Sequence, residues 1–171
     1  MTRLLIASAA LLVCASNVSA QQFTDARPKE SAAAAAVPAP LALTSAEHVE
    51  IARRALTNGE YRTARREFKV AALLEREDGR VPTEATLGLV SVLCLQGKLG
   101  DAAVELERLA TEASAQGDAD TEARALADAI WLKVETGERQ TVRNDAIRLR
   151  KVLDSSRLTP ETREYVTQRV R

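Results

Sequence analysis

Gly59, Gly97 and Gly137 recur at nearly equal spacing, and each stands between two runs of helix-forming residues. This recurrence constrains the chain more than any other feature. Counting on from each glycine, matching places hold Ala64, Ala102 and Val142, then Phe68, Leu106 and Ala146, then Ala71, Leu109 and Leu149. Glycine accepts the left-handed backbone that closes a helix, so each marks a joint with a helix on either side. A period of this size points to a helical solenoid. One helix pair cannot bury its apolar face alone, whereas stacked pairs share a continuous core.

The clearest unit runs from Asn58 to Ala71. Tyr61, Ala64, Phe68 and Ala71 fall on one face of a helix at spacings of three and four, with charged flanks. The small alanines let a second helix approach, and the two rings are expected to grip it. Composition agrees with helices: 46% of the chain is hydrophobic but only 3% is aromatic. Ala and Leu favour helices, and the residues that favour strands are scarce. No run alternates with period two between turn residues. The formal charge of +0 gives no electrostatic argument for nucleic acid or an anionic membrane as the main partner.

The first residues read as a targeting signal. Arg3 precedes an apolar run from Leu4 to Ala15, too short to span a bilayer. Val18-Ser19-Ala20 then has the small residues of a secretory cleavage site. The expectation is a signal peptide over 1–20, cleaved after Ala20, and a periplasmic or secreted bacterial protein. Cys14 raises a lipoprotein reading, but Val13 stands where such signals carry a small residue, which argues against an outer-membrane lipoprotein. Cys94 is then the one cysteine left, so no intramolecular disulfide forms, and burial as a small hydrophobe is favoured over an intermolecular one. Residues 21–43, with the Ala32 to Ala36 run and Pro38 and Pro40, read as an Ala/Pro-rich flexible tether. Residues 44–171 form the helical repeat domain.

Within it, Thr44 and Glu47 spell a capping box for a first helix to about Leu56. A second runs from about Glu60 to Arg76. Pro82 suits the first turn of a third, to about Gln96, which is apolar nearly all round and reads as the central helix. A fourth spans about Leu99 to Ala115. A fifth, capped by Asp118 or Asp120, reaches Thr136 with Ala123, Leu126, Ala127, Ile130 and Val134 inward. A sixth, from about Gln140 to Leu153, uses Val142, Ala146, Leu149 and Leu153, and Thr159-Pro160-Glu161 opens a short seventh.

Gly59, Tyr61, Ala64, Phe68 and Ala71 together resemble the turn and second helix of the tetratricopeptide repeat family. Gln96-Gly97-Lys98-Leu99 with Ala102 and Leu106 is similar but less complete, and the unit from Gly137 is degenerate. The resemblance covers about residues 44 to 154, and the period here exceeds that family's period of about 34 residues. It implies an all-α fold: a short right-handed helical-hairpin solenoid of about three tetratricopeptide-like pairs plus a C-terminal helix.

Little in the chain suggests chemistry. The single His48 is expected to be exposed in the first turn of its helix, and no catalytic residue, cofactor site or metal-ligand spacing is assigned. Asp118, Asp120 and Glu122 look faintly like a calcium loop, but its glycine and late glutamate are missing, and acids at a helix start explain them better. Arg53-Arg54, Arg62, Arg65-Arg66 and Arg148-x-Arg150-Lys151 are read as solvated faces with ion pairs at helical spacing, ahead of anion binding. The resemblance implies a concave face lined by the first helix of each pair. Alignment by the glycines places Arg53, Ser91 and Trp131 at one equivalent position there, with Leu87 and Leu95 nearby. These five are the candidate partner-binding residues, and a C-terminal helix around Tyr165 is the element that would cover Trp131. The expected function is a non-catalytic exported scaffold or adaptor holding a protein or peptide in that groove, with no nucleic acid and no transmembrane segment in the mature chain. The alternatives are a homodimer or larger structural envelope assembly closed on the same surface, and an accessory subunit of an envelope enzyme.

Overall fold

The computed structural model describes residues 43–155 and 157–170, apart from the side chain of Arg139. The expected signal peptide over 1–20 and the expected tether, except Leu43, lie outside the described residues. Among the described residues the chain forms seven α-helices and no strand. They are α1 (Ser45–Thr57), α2 (Tyr61–Glu77), α3 (Thr83–Leu95), α4 (Leu99–Gln116), α5 (Ala119–Thr136), α6 (Arg139–Leu153) and α7 (Pro160–Arg169). From α1 to α6 each helix packs on the next; α3 also touches α1, and α7 returns to α5.

The helix starts follow local chemistry. The Thr44 hydroxyl accepts from the Glu47 N–H at 3.3 Å, and the Thr44 N–H donates to the Glu47 carboxylate at 2.7 Å, which completes the capping box. Asp118, not Asp120, caps α5 by accepting from the Thr121 N–H at 3.0 Å. Pro82 stands one place earlier than expected, as the N-cap of α3. At the joint after α1, Gly59 has φ +75, its N–H donates to the Leu56 carbonyl at 3.0 Å, and the Glu60 N–H reaches back to Ala55 at 2.8 Å. This is the closure that satisfies the last carbonyls of a helix. The same pair of hydrogen bonds recurs at Gly97 and Gly137, and equally at Gly79 and Gly117. The glycine signal therefore marks every joint from α1 to α6, within expected pairs and between them.

The core is built on small residues. Ala52, Ala64, Ala71, Ala102, Ala110, Ala123 and Ala127 have no exposed surface, and Phe68, Leu89, Leu106, Leu109 and Leu126 fill the space between them. Phe68 lies against the backbone of α3 at Gly88, where a Cβ would come within 2.3 Å of a ring carbon. Glycine is required there by the close approach, not by its backbone angles. The grip expected of Tyr61 does not form: it is 37% exposed, because the α2 face that packs is centred on Ala64, Phe68 and Ala71. Ala146 and Val134 are exposed rather than inward. In α6 the buried positions are Leu149 and Val152. Nor is α3 covered all round. Leu87, Ser91 and Leu95, one stripe at spacings of four, stay exposed. The most enclosed helix is α5, which α4, α6 and α7 all contact.

Charged side chains join the helices as well. Lys133 is buried in α5 and reaches Glu107 of α4 and, at 2.6 Å, Asp145 of α6. Arg148 of α6 donates to Glu122 at 2.8 Å and to the Ala110 carbonyl at 2.8 Å. Arg76 of α2 pairs with Glu112 of α4 at 2.7 Å. No helix among the described residues is long and apolar enough to cross a membrane.

Candidate functional site

Four helices contribute to one cleft. Thr83 and Leu87 of α3, Leu109 of α4, Asp120, Thr121, Arg124 and Ala125 of α5, Thr159 at the N-cap of α7 and Thr162 within it line a cleft of about 360 Å³. Leu87 shares this cleft with Arg124 and Ala125 of α5. Arg53 sits at the α1 end of the α3 stripe, held by Glu50 at 2.9 Å and by Glu84 of α3. Ser91 donates its hydroxyl to the Leu87 carbonyl at 2.9 Å, one turn back in its own helix. Leu95, at the far end of the stripe, is 61% exposed.

Trp131 does not line an open groove. The guanidinium of Arg169, from the last turn of α7, stacks on its ring at 4.1 Å from the centroid, and the indole stays 38% exposed. Cations prefer the electron-rich face of an indole. Arg169 also donates to Asp128 at 2.7 Å, and the Tyr165 hydroxyl donates to the same carboxylate at 2.8 Å. One carboxylate on α5 thereby fixes two side chains of α7. Upstream, Arg124 donates to the Thr162 hydroxyl at 3.0 Å, and the Thr159 N–H donates to Asp120 at 3.0 Å. The apolar share of this contact is small: Val166 and Thr162 are the buried residues of α7. Helix α7 is held on α5 largely by a polar latch.

The latch leaves an electrostatic mark. The Tyr165 phenol is pushed up to about 12, first because burial disfavours the phenolate and then because it donates to Asp128. Cys94 of α3 is free and half-buried against the core, so it is less enclosed than expected. Burial raises its thiol above the ordinary value, and the opposing charges of Arg169 and Asp128 both reach it.

His48 is the clearest revision at a titratable group. It is half-buried, and its Nδ1 lies 2.7 Å from Glu67 of α2, which also accepts from Arg66. The His48 hydrogen bond is the main reason that the buried Glu67 carboxyl is held below the usual range, with Arg66 adding to it. The pair ties α1 to α2. Sequence reasoning missed it because the partners are far apart in the chain. Among the described residues no group of three or more His, Cys, Asp and Glu is placed to hold a metal ion.

Sequence reasoning also missed Asp128 and Arg169. Their one signal was spacing: Arg124, Asp128 and Trp131 occupy one face of α5, and Thr162, Tyr165 and Arg169 one face of α7. Comparison with protein-family models, with curated proteins and with solved structures finds no match to this chain.

Proposed function

We propose that this chain is a non-catalytic, exported binding module, periplasmic or secreted. In this reading it is a short right-handed solenoid of tetratricopeptide-like helix pairs, and its partner is a protein or peptide segment that docks along α3 and α5. The observation that carries the reading is the exposed apolar surface on three helices, α3, α5 and α7, all of which contribute to the cleft that Leu87 lines. Leu87 and Leu95 of α3, Trp131 and Val134 of α5, and Tyr165 and Val170 of α7 are all exposed. Apolar surface grouped in this way marks interaction sites, whereas scattered single residues do not. Amphipathic helices use such grooves, burying apolar anchors at spacings of three and four.

Helix α7 has a place in this reading. It occupies the α5 side of the face and leaves Leu87, Ser91 and Leu95 of α3 open. A partner segment can lie beside α7 on that open stripe.

The test is a Leu87→Ala, Leu95→Ala variant, with circular dichroism and the unfolding midpoint used to establish that it stays folded. Loss of the partners that the parent chain retains from an extract of the source envelope supports the reading. Retention of the same partners overturns it. A parent chain that retains only its own copies, with sedimentation as a dimer, moves the surface to self-assembly instead.

A further inference from the structure

A second concave site shares no residue with the cleft at α7. Arg62, Arg65, Arg66 and Lys69 lie on one stripe of α2, at steps of three and four, and Gln96 and Lys98 face them from the turn between α3 and α4. Together they line a cleft of about 630 Å³. Every charged group of the lining is a cation. The carboxylate beside it, Glu67, already accepts from Arg66 and bonds His48. Among the described residues Arg62, Arg65, Lys69 and Lys98 make no ion pair.

Such a stripe opposes its own helix, since like charges four residues apart repel. Glu67 relieves only Arg66; among the described residues no carboxylate pairs with Arg62, Arg65, Lys69 or Lys98, and in a chain of formal charge +0 the excess is local. A concave surface lined by one sign of charge focuses the field and concentrates counter-charged ligand. The donors also suit a particular chemistry. Arginine forks bind planar or tetrahedral oxyanions through paired N–H groups, and lysine adds point charge. Gln96 supplies a further sign: its Oε1 is buried without a hydrogen-bond partner among the described residues. With the oxygen turned inward, the amide N–H group is the end of Gln96 left to meet an oxyanion.

We propose that this cleft binds a ligand bearing clustered phosphate groups, either free or as a lipid headgroup. One carboxylate would leave most of these cations unmatched. An acidic peptide would have to order several long side chains to bring the same charge into so small a space. A di- or polyphosphate presents that charge on a compact group, and the cleft lies within the roughly 300–1,000 Å³ of ordinary small-molecule sites.

The experiment uses the full chain and two triple variants of equal charge. One is Arg62→Gln, Arg65→Gln, Lys69→Gln in the cleft; the other is Arg54→Gln, Arg143→Gln, Arg150→Gln on exposed surface elsewhere. Inorganic pyrophosphate is titrated by calorimetry, and flotation compares vesicles containing cardiolipin, whose headgroup carries two phosphates, with vesicles of phosphatidylcholine. The expected result is binding to pyrophosphate or to cardiolipin that weakens at least tenfold in the cleft variant and less than twofold in the other. Pyrophosphate binding assigns the free ligand, and vesicle binding without it assigns the headgroup. Equal weakening in both variants reduces the effect to net charge and overturns the site. So does binding of polyglutamate with neither phosphate probe bound, and so does no binding at all. Both variants are compared by circular dichroism, and should the cleft variant fail to fold, the single Lys98→Gln variant serves in its place.

Discussion

Arg148 and Arg62 look interchangeable in the sequence, each in a basic run on a polar helix. The fold treats them in opposite ways. Arg148 is spent inside the molecule on Glu122, the Ala110 carbonyl and the Thr111 hydroxyl. Arg163 caps the end of α6 through the Leu153 carbonyl at 2.7 Å, and Arg169 is divided between Asp128 and Trp131. Around α5, arginine is structural. Around α2, Arg62, Arg65 and Lys69 have no carboxylate among the described residues and border an open cleft. The difference lies in what the neighbouring helix offers. Helix α5 presents Glu122 and Asp128 to α6 and α7, whereas the nearest carboxylate on α2, Glu67, turns inward to His48. A basic run is therefore no guide to binding until its partners are known.

Four measurements sharpen or break this contrast. The largest effect is expected at Lys133, the one cation of the α5 region that is wholly buried between two carboxylates. Lys133→Ala should cost about 3 kcal/mol in urea unfolding, since it leaves Glu107 and Asp145 facing an empty site. A loss below about 1 kcal/mol would show that solvent reaches the pair.

Next comes the direct comparison. Arg148→Ala should cost about 2 kcal/mol, because Glu122 is buried and loses its partner. The exposed Arg62→Ala should change stability by less than about 0.5 kcal/mol. Equal losses would erase the distinction between the two regions.

The latch gives a local effect. Asp128→Ala removes the acceptor shared by Tyr165 and Arg169. Amides of α7 should then exchange with solvent roughly tenfold faster, while those of α2 keep their rates. Unchanged exchange in α7 would mean that Val166 and Leu158 suffice to hold it.

The smallest effect is expected from alkali. Tyr165 has its folded pKa raised to about 12, so its stabilising contribution is complete below the unfolded value near 10 and is lost as pH rises through the folded one. In a Tyr61→Phe chain the remaining phenol should ionise late, together with a change in Trp131 fluorescence as α7 loosens. Ionisation near 10 with no change in fluorescence would contradict the latch.

The helices were legible in the sequence because their signals are local. The capping box at Thr44 and Glu47, the glycines at the joints and the Thr159-Pro160 start act within a few residues. The spacing of alanine and leucine along α4 likewise marked its buried face, from Ala102 to Ala113. The pairing of helices was harder to read. Gly79 and Gly117 close their joints as Gly59 and Gly97 do, so the glycines count helices without saying which two form a pair. What was not legible depends on contacts between residues far apart in the chain. The His48–Glu67 bond, the Lys133 bridge and the fit of Phe68 on Gly88 leave no periodic trace. The candidate site was half legible. The alignment put Leu87 and Trp131 on one side of the domain, but the helix that comes back over Trp131 uses Asp128 and Arg169, which repeat nowhere in the chain.

The proposed docking face is tested most directly by site-specific photocrosslinking in the source cells. A photoreactive side chain replaces Leu95 on the α3 stripe, and in a separate chain it replaces Val104, which is equally exposed on α4. The expected result is a discrete adduct with another protein from position 95 and none from position 104. Adducts of equal yield from both positions, or none from position 95, would contradict a binding face on α3 and α5.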